Sequence, residues 1–314
     1  MKSRIDEKSV LVIGATGTVG REVALATAAE GGRVRALVRS ESRAAALGAK
    51  VELVLGDLRD DMSLARAIDG VRAVFYVSPH EPDEEALADR VVLACEARGA
   101  RLVFVGVHVD GATRLHRALR RFLFGHILPH YRPKTRLSER VRRTATSPII
   151  LMPPNFFQND EVFRDEILAG VFPEPFDRPM SRVDVRDVGR AAARALLDRD
   201  LPGGAYPVVG PASLTSEECA AAWAAALGRE VRADASVFEA AVTRVLAGKK
   251  REDFIASYAA LRKITLPTLP EEVERTTWLI GRAPTAYEAY VRDVAARWMG
   301  PGAARREVRA ASRM

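Results

Sequence analysis

Residues 10 to 20 read Val10-Leu11-Val12-Ile13-Gly14-Ala15-Thr16-Gly17-Thr18-Val19-Gly20, and this stretch constrains the fold more than any other. Four consecutive apolar residues predict a strand covered on both faces, and the amphipathic run from Arg21 to Glu30 predicts a helix directly after the glycines. Each glycine has its own reason to be there. Gly14 permits a tight strand-to-helix turn, Gly17 removes a Cβ where a pyrophosphate must approach the backbone, and Gly20 lets the helix pack close to the strand. The helix start adds free N–H groups and the positive end of the helix dipole. Glycines alone would suit any sharp turn, but a strand before and a helix after are the context a dinucleotide-binding turn requires. The candidate contacts are Gly14, Thr16, Gly17, Thr18, Val19 and Gly20.

The spacing is Gly-x-x-Gly-x-x-Gly, not Gly-x-Gly-x-x-Gly. GATGTVG so near the N-terminus resembles the atypical short-chain dehydrogenase/reductases, specifically the NmrA-like group, and the likeness runs with gaps over nearly the whole chain. It implies a Rossmann fold, a nicotinamide cofactor and a reductase activity.

The second strand is expected over 33–39. A carboxylate at its end would hydrogen-bond a ribose 2′-OH and repel a 2′-phosphate. The chain instead offers Arg39, Ser40 and Arg43, with only Glu41 of opposite sign. Guanidinium groups suit phosphate because they carry charge and donate parallel hydrogen bonds. A solvated loop arginine is the bland alternative. Arg39 matches the arginine position of NADP-preferring NmrA-like proteins, so the resemblance favours NADP(H). After a third strand over 51–55, Gly56-Asp57-Leu58 resembles the family's adenine-contacting turn, with Asp57 near the exocyclic amine; an Asp capping a turn is the alternative reading. The fourth strand, 73–77, ends at Ser78. Ligands bind beyond the carboxyl ends of parallel strands, which places the backbone of Val77 and Ser78 beside the nicotinamide-side ribose. His80 follows, a surface histidine or a proton-transfer group.

A helix is expected over 83–98 and a fifth strand over 101–107. Working short-chain reductases carry a Ser or Thr at this strand end; here stand Val107 and His108. Residues 112 to 130 are basic and amphipathic, with Leu115, Leu119, Phe122, Leu123 and Ile127 at helical spacing. They suit a surface helix, a substrate lid or oligomer contact, or a membrane-surface helix. The familiar pair of short-chain reductases is a Tyr with a Lys four residues later, and NmrA-like sequences often lose the Tyr. The Tyr donates a proton to the developing alkoxide, and the Lys lowers its pKa and holds the ribose. Here Tyr131 and Lys134 are three apart and His130 has the four-residue spacing. Pro133 suits a first helical turn, which leaves Tyr131 in the loop before it. Lys134, Tyr131 and His130 are the catalytic candidates, Lys134 also as a ribose contact.

A sixth strand over 148–152 leads to Pro153-Pro154-Asn155-Phe156-Phe157, similar to the family segment that passes the nicotinamide. Asn155 is the candidate contact and the aromatic pair a cleft wall or, alternatively, core. Residues 182–188 resemble the segment that returns to the nucleotide domain, and Trp278 to Pro284 the closing motif. A short strand over 206–209 and a helix over 216–227 lie between.

Composition narrows the function. Across 314 residues, 48% are hydrophobic and 28% charged, as in ordinary globular proteins. No apolar run is long enough for a membrane span and the N-terminus lacks a signal-peptide core, so a cytoplasmic location is expected. Cys95 and Cys219 are the only cysteines and neither has metal spacing, so no disulfide and no metal are expected. The net charge of +7 is spread over most helices without a DNA-reading motif, and no nucleic-acid partner is expected.

Strands alternating with helices argue for an α/β, doubly wound parallel sheet, with a smaller, mostly helical C-terminal substrate lobe. The Rossmann domain is expected over 1–153 with 181–200, and the lobe over 154–180 with 201–314. The primary reading is an NADPH-dependent oxidoreductase acting on a carbonyl, enone or quinone-like small molecule, as a monomer or homodimer. The alternative is a non-catalytic NADP(H)-sensing regulator with a protein partner, which the missing Ser and displaced Tyr would suit. Sugar-nucleotide epimerisation would want the intact Tyr-Lys pair.

Overall fold

A computed structural model describes residues 6–311 apart from 80, 82, 108–117, 119–121, 123, 124, 127, 129, 130, 263 and 264, and describes no side chains for 6–8, 42, 43 and 301–311. Most of the 112–130 segment, His80, His108 and His130 therefore lie outside the described residues, as does the Arg43 side chain.

In chain order the elements begin β1 (Asp6–Ile13), α1 (Thr18–Ala29), β2 (Arg33–Val38), α2 (Glu41–Ala44), β3 (Val51–Leu55), α3 (Asp61–Ile68), β4 (Val71–Tyr76), α4 (Glu84–Arg98) and β5 (Arg101–Val105). They continue with α5 (Arg132–Arg142), β6 (Ile149–Met152), β7 (Asn155–Phe156), α6 (Arg164–Leu168), β8 (Val171–Phe172), β9 (Met180–Val183) and α7 (Val185–Leu197). The last are β10 (Gly204–Pro207), β11 (Ser213–Leu214), α8 (Ser216–Leu227), β12 (Arg232–Ala233), α9 (Phe238–Val245), α10 (Gly248–Leu261), α11 (Pro270–Ile280) and α12 (Tyr287–Ala311), the last broken at Gly300.

The chain divides into two compact units: Met1–Phe156 with Val185–Val209 and Leu269–Pro284, and Phe157–Asp184 with Gly210–Thr268 and Thr285–Met314. The first holds a seven-stranded, wholly parallel sheet in the order β10-β6-β5-β4-β1-β2-β3. Its register sets Val10 against Val34 of β2 and Ala73 of β4. Val10, Leu11 and Val12 are fully buried, which is why β1 is apolar without alternation: helices cover both of its faces. The strand order reverses between β1 and β4, and the carboxyl ends of these two strands frame a crevice. The fold is the doubly wound sheet the sequence predicts.

The boundaries differ from expectation: residues 154–156 fall in the sheet unit and 181–184 in the other, the reverse of the expected assignment, and two longer segments move to the sheet unit. Gly204–Pro207 pairs parallel with β6, Ala205 opposite Ile150, so the chain returns to extend the sheet. Helix α11 belongs to the same unit: Thr276 Oγ1 accepts from Val209 N at 3.0 Å. Both were expected in the lobe. A four-residue strand whose partner lies some fifty residues earlier carries little local signal.

The second unit is helical around an aromatic core of Phe157, Phe163, Phe172, Phe176, Trp223 and Tyr258. Phe157 is thus core, not cleft wall. Arg182 lies fully buried among these rings. Its Nη2 donates to Asp160 Oδ1 at 2.5 Å and lies 3.1 Å from Glu174 Oε2. Its guanidinium sits 5.2 Å from the Tyr287 ring centroid and 5.9 Å from those of Phe157 and Phe176. Burial pushes the Glu174 carboxyl up to about 8 against the pull of Arg182, while Tyr258 donates to it at 2.6 Å. Among the described residues no helix is long and apolar enough to cross a membrane, and no group of three or more His, Cys, Asp or Glu is placed to hold a metal.

Candidate functional site

The turn after β1 is built as its glycines predict. Gly14 has φ +81°, a left-handed conformation that a Cβ would strain. Gly17 N–H donates to Gly14 O at 2.9 Å, closing the turn, and Gly17 then serves as the N-cap of α1. A Cβ on Gly20 would stand 2.2 Å from Gly14 O, so only glycine fits where the helix crosses the turn. Thr18 opens α1, and no side chain caps the helix start, which leaves its first N–H groups directed at the turn.

A cleft of about 170 Å³ lies against this turn at the carboxyl ends of β1, β2, β3 and β4. It gathers six of the expected contacts: Gly14, Thr16, Arg39, Asp57, Leu58 and Val77. Arg39 is exposed at the end of β2, with no hydrogen-bond or ion-pair partner among the described residues. Asp57 serves its turn, its Oδ1 accepting from Arg59 N at 2.9 Å, and lines the cleft as well. Gly17, Thr18, Val19, Gly20, Ser78 and Asn155 are not in the lining. Val19 and Gly20 are buried in the first turn of α1, and Asn155 is half-buried in β7.

The lining residues that the sequence did not mark as contacts include Arg59, Pro79 and Glu81. Arg59 stands two positions after Asp57, and its side chain meets Glu81 and Asp83 in the segment after β4. No spacing rule links positions so far apart in the chain.

Lys134 departs from expectation. Tyr131 is the N-cap of α5, and Pro133 sits in the first helical turn, as predicted. In the same turn, the Lys134 ammonium is buried and donates to Ser78 O at 2.8 Å, Ser78 Oγ at 2.7 Å and Glu84 Oε1 at 2.8 Å. Ser78 Oγ donates to the same carboxylate oxygen at 2.5 Å. An ammonium has three N–H donors, and three protein acceptors surround this one. A ribose contact would require it to release one of them. Burial lowers the Lys134 pKa, and Glu84 acts against that shift. The side chain ties α5 to Ser78 after β4 and to the start of α4, a link the sequence does not reveal because an acid in a first helical turn is ordinary. Tyr131 is half-buried beside this cluster in sequence and does not line the nucleotide cleft.

The residues fit a dinucleotide: the first glycine of the turn and a guanidinium with no partner among the described residues line one cleft, and the uncapped start of α1 follows directly in the chain. Comparison with known proteins agrees. The model of the NmrA-like family matches residues 6–269. The chain is 31% identical over 235 residues to an NAD(P)H azoreductase of Xenophilus azovorans, covering 74% of this chain and 78% of that protein. It is 35% identical over 242 residues to a (4-alkanoyl-5-oxo-2,5-dihydrofuran-3-yl)methyl phosphate reductase of Streptomyces griseus, covering 76% and 80%. The structure of an NADPH-dependent quinone oxidoreductase from Escherichia coli complexed with NADPH superposes with a TM-score of 0.74 at 20% identity, over 91% of this chain and 99% of the other, a likeness of fold.

Proposed function

Because this chain belongs to the NmrA-like family, we propose that it is an NADPH-dependent oxidoreductase reducing a carbonyl, enone or quinone-like small molecule. The observation that carries the reading is the cleft at the sheet's switch point, where Gly14 and Thr16 meet Arg39, Asp57 and Leu58. Both curated relatives quoted above are named as reductases, which supports turnover over a purely sensing role.

The bound cofactor would supply the hydride. The chain does the rest. The turn from Gly14 to Gly20 and the start of α1 receive the pyrophosphate, and Arg39 holds the 2′-phosphate. Asp57 meets the adenine amine, with Leu58 against the ring. The Lys134–Glu84–Ser78 cluster fixes the backbone at Val77 and Ser78 beside the nicotinamide-side ribose. Tyr131, at the head of α5, or a water protonates the reduced substrate. The chain acts in the cytoplasm on a small-molecule substrate, as a monomer or homodimer.

Fluorescence titration with NADPH, followed by loss of nicotinamide absorbance with quinones, enones and ketones, tests the reading. Binding with turnover on any of them is expected. Tight binding with no turnover across a broad panel would favour the sensor.

A further inference from the structure

One side chain in the lining of the nucleotide cleft joins two separate segments. Arg59 lies in the turn after β3, and its Nη2 donates to Glu81 Oε2 at 2.5 Å and to Asp83 Oδ1 at 3.1 Å. Its Nε donates to Asp83 Oδ2 at 3.0 Å, and Nη1 stands 3.8 Å from Asp57 Oδ1. Three carboxylates on two separate segments thus surround one guanidinium. The same turn is held from α4, where Arg90 donates to Arg59 O at 3.3 Å and pairs with Asp61. Arg59, Asp57 and Glu81 all line the cleft with Arg39.

A lone exposed ion pair would contribute little. The consequence here is electrostatic. Without Arg59, the carboxylates of Asp57, Glu81 and Asp83 would face Arg39's single positive charge at one cleft. A 2′-phosphate adds close to two negative charges to a dinucleotide, so uncompensated acids would oppose the phosphorylated cofactor more than its unphosphorylated counterpart. One unpaired carboxylate about 10 Å from such a group costs it about fourfold in affinity even with water-like screening.

We propose that Arg59 is a specificity-determining residue for the cofactor: by neutralising Glu81 and Asp83 it allows the cleft to prefer NADPH over NADH, in addition to the direct contact from Arg39. The proposal rests on the nucleotide reading of the cleft. Dissociation constants for NADPH and NADH, titrated by fluorescence at low and high salt, test it on the full chain, Arg59→Gln and the double variant Glu81→Gln/Asp83→Asn. The cationic deletion should lower the NADPH-over-NADH preference about fourfold at low salt, chiefly through NADPH. The acid deletions should raise the preference, and added salt should shrink both effects. Opposite signs are what a merely structural clasp would not give. Loss of affinity for both cofactors alike in both variants, or ratios that do not move, would overturn it. If Arg59→Gln fails to fold, the double variant decides alone, and a preference that does not rise overturns the proposal. A wild-type chain that binds neither dinucleotide overturns the cofactor reading and the proposal together; one that binds NADPH with unmoved ratios in the variants sinks only the role of Arg59.

Discussion

Lys134 shows what one residue can be asked to do twice. Its helix position follows from Pro133 and was legible in the sequence; its partners were not, because Ser78 and Glu84 reach it only through the packing of α4 and α5. Removing the ammonium would leave Glu84 charged and almost fully buried, with Ser78 Oγ as its remaining donor. Lys134→Met should therefore cost about 3–5 kcal/mol by urea denaturation, and adding Glu84→Gln should restore a large part. A Lys134→Met variant as stable as wild type would remove the positioning role. Gly20 is the simpler case. Its Cβ would meet Gly14 O at 2.2 Å, backbone that cannot swing aside, so Gly20→Ala should cost about 3 kcal/mol and abolish NADPH binding. Retained binding in a stable Gly20→Ala protein would show that the turn can open.

At the scale of elements, α1 and α7 pack closely within the sheet unit, and the contact depends on Gly189. A Cβ there would stand 2.8 Å from Glu22 O, on the backbone of α1. Gly189→Ala should force the helices apart and cost about 1–3 kcal/mol, read as a lower urea midpoint with an unchanged slope. A midpoint equal to wild type would mean that the helices are free to slide. The sequence offered part of this. Small residues on an Ala-rich helix indicate close packing, whereas the partner helix, some 160 positions earlier, cannot be read from spacing. Helix α8 is a contrasting element. Thr215 and Glu218 form a reciprocal cap at its start, Gly228 closes it in the left-handed conformation, and its bounds coincide with the sequence expectation.

At the scale of the whole molecule, pH should act through the helical unit. The Glu174 carboxyl, buried beside Arg182, has its pKa raised from 4.5 to about 8. Between those values the folded state holds more protons than the unfolded chain, so unfolding becomes easier as pH rises through the window. Burial of Glu174 is thus fully compatible with folding in mild acid and increasingly opposed toward pH 8. The melting temperature of wild type should fall from about pH 5 to about pH 8 more steeply than that of Glu174→Gln, whose side chain is neutral throughout. Parallel profiles for the two proteins would show that Glu174 ionises normally.

The chain by itself determined the strands, the glycine turn and the arginine at the end of β2, because each is legible within a few consecutive residues. Apolar runs choose strands, a missing Cβ chooses a turn, and a guanidinium at a strand end suits a phosphate. Tertiary structure alone decided which charges lie together: Arg59 with Glu81 and Asp83, Lys134 with Glu84, and Arg182 with Asp160 and Glu174. It also decided that β10 and α11 return to the sheet. Coulombic pairing and strand addition depend on distance in space, and no periodicity in the sequence records which distant segments will meet.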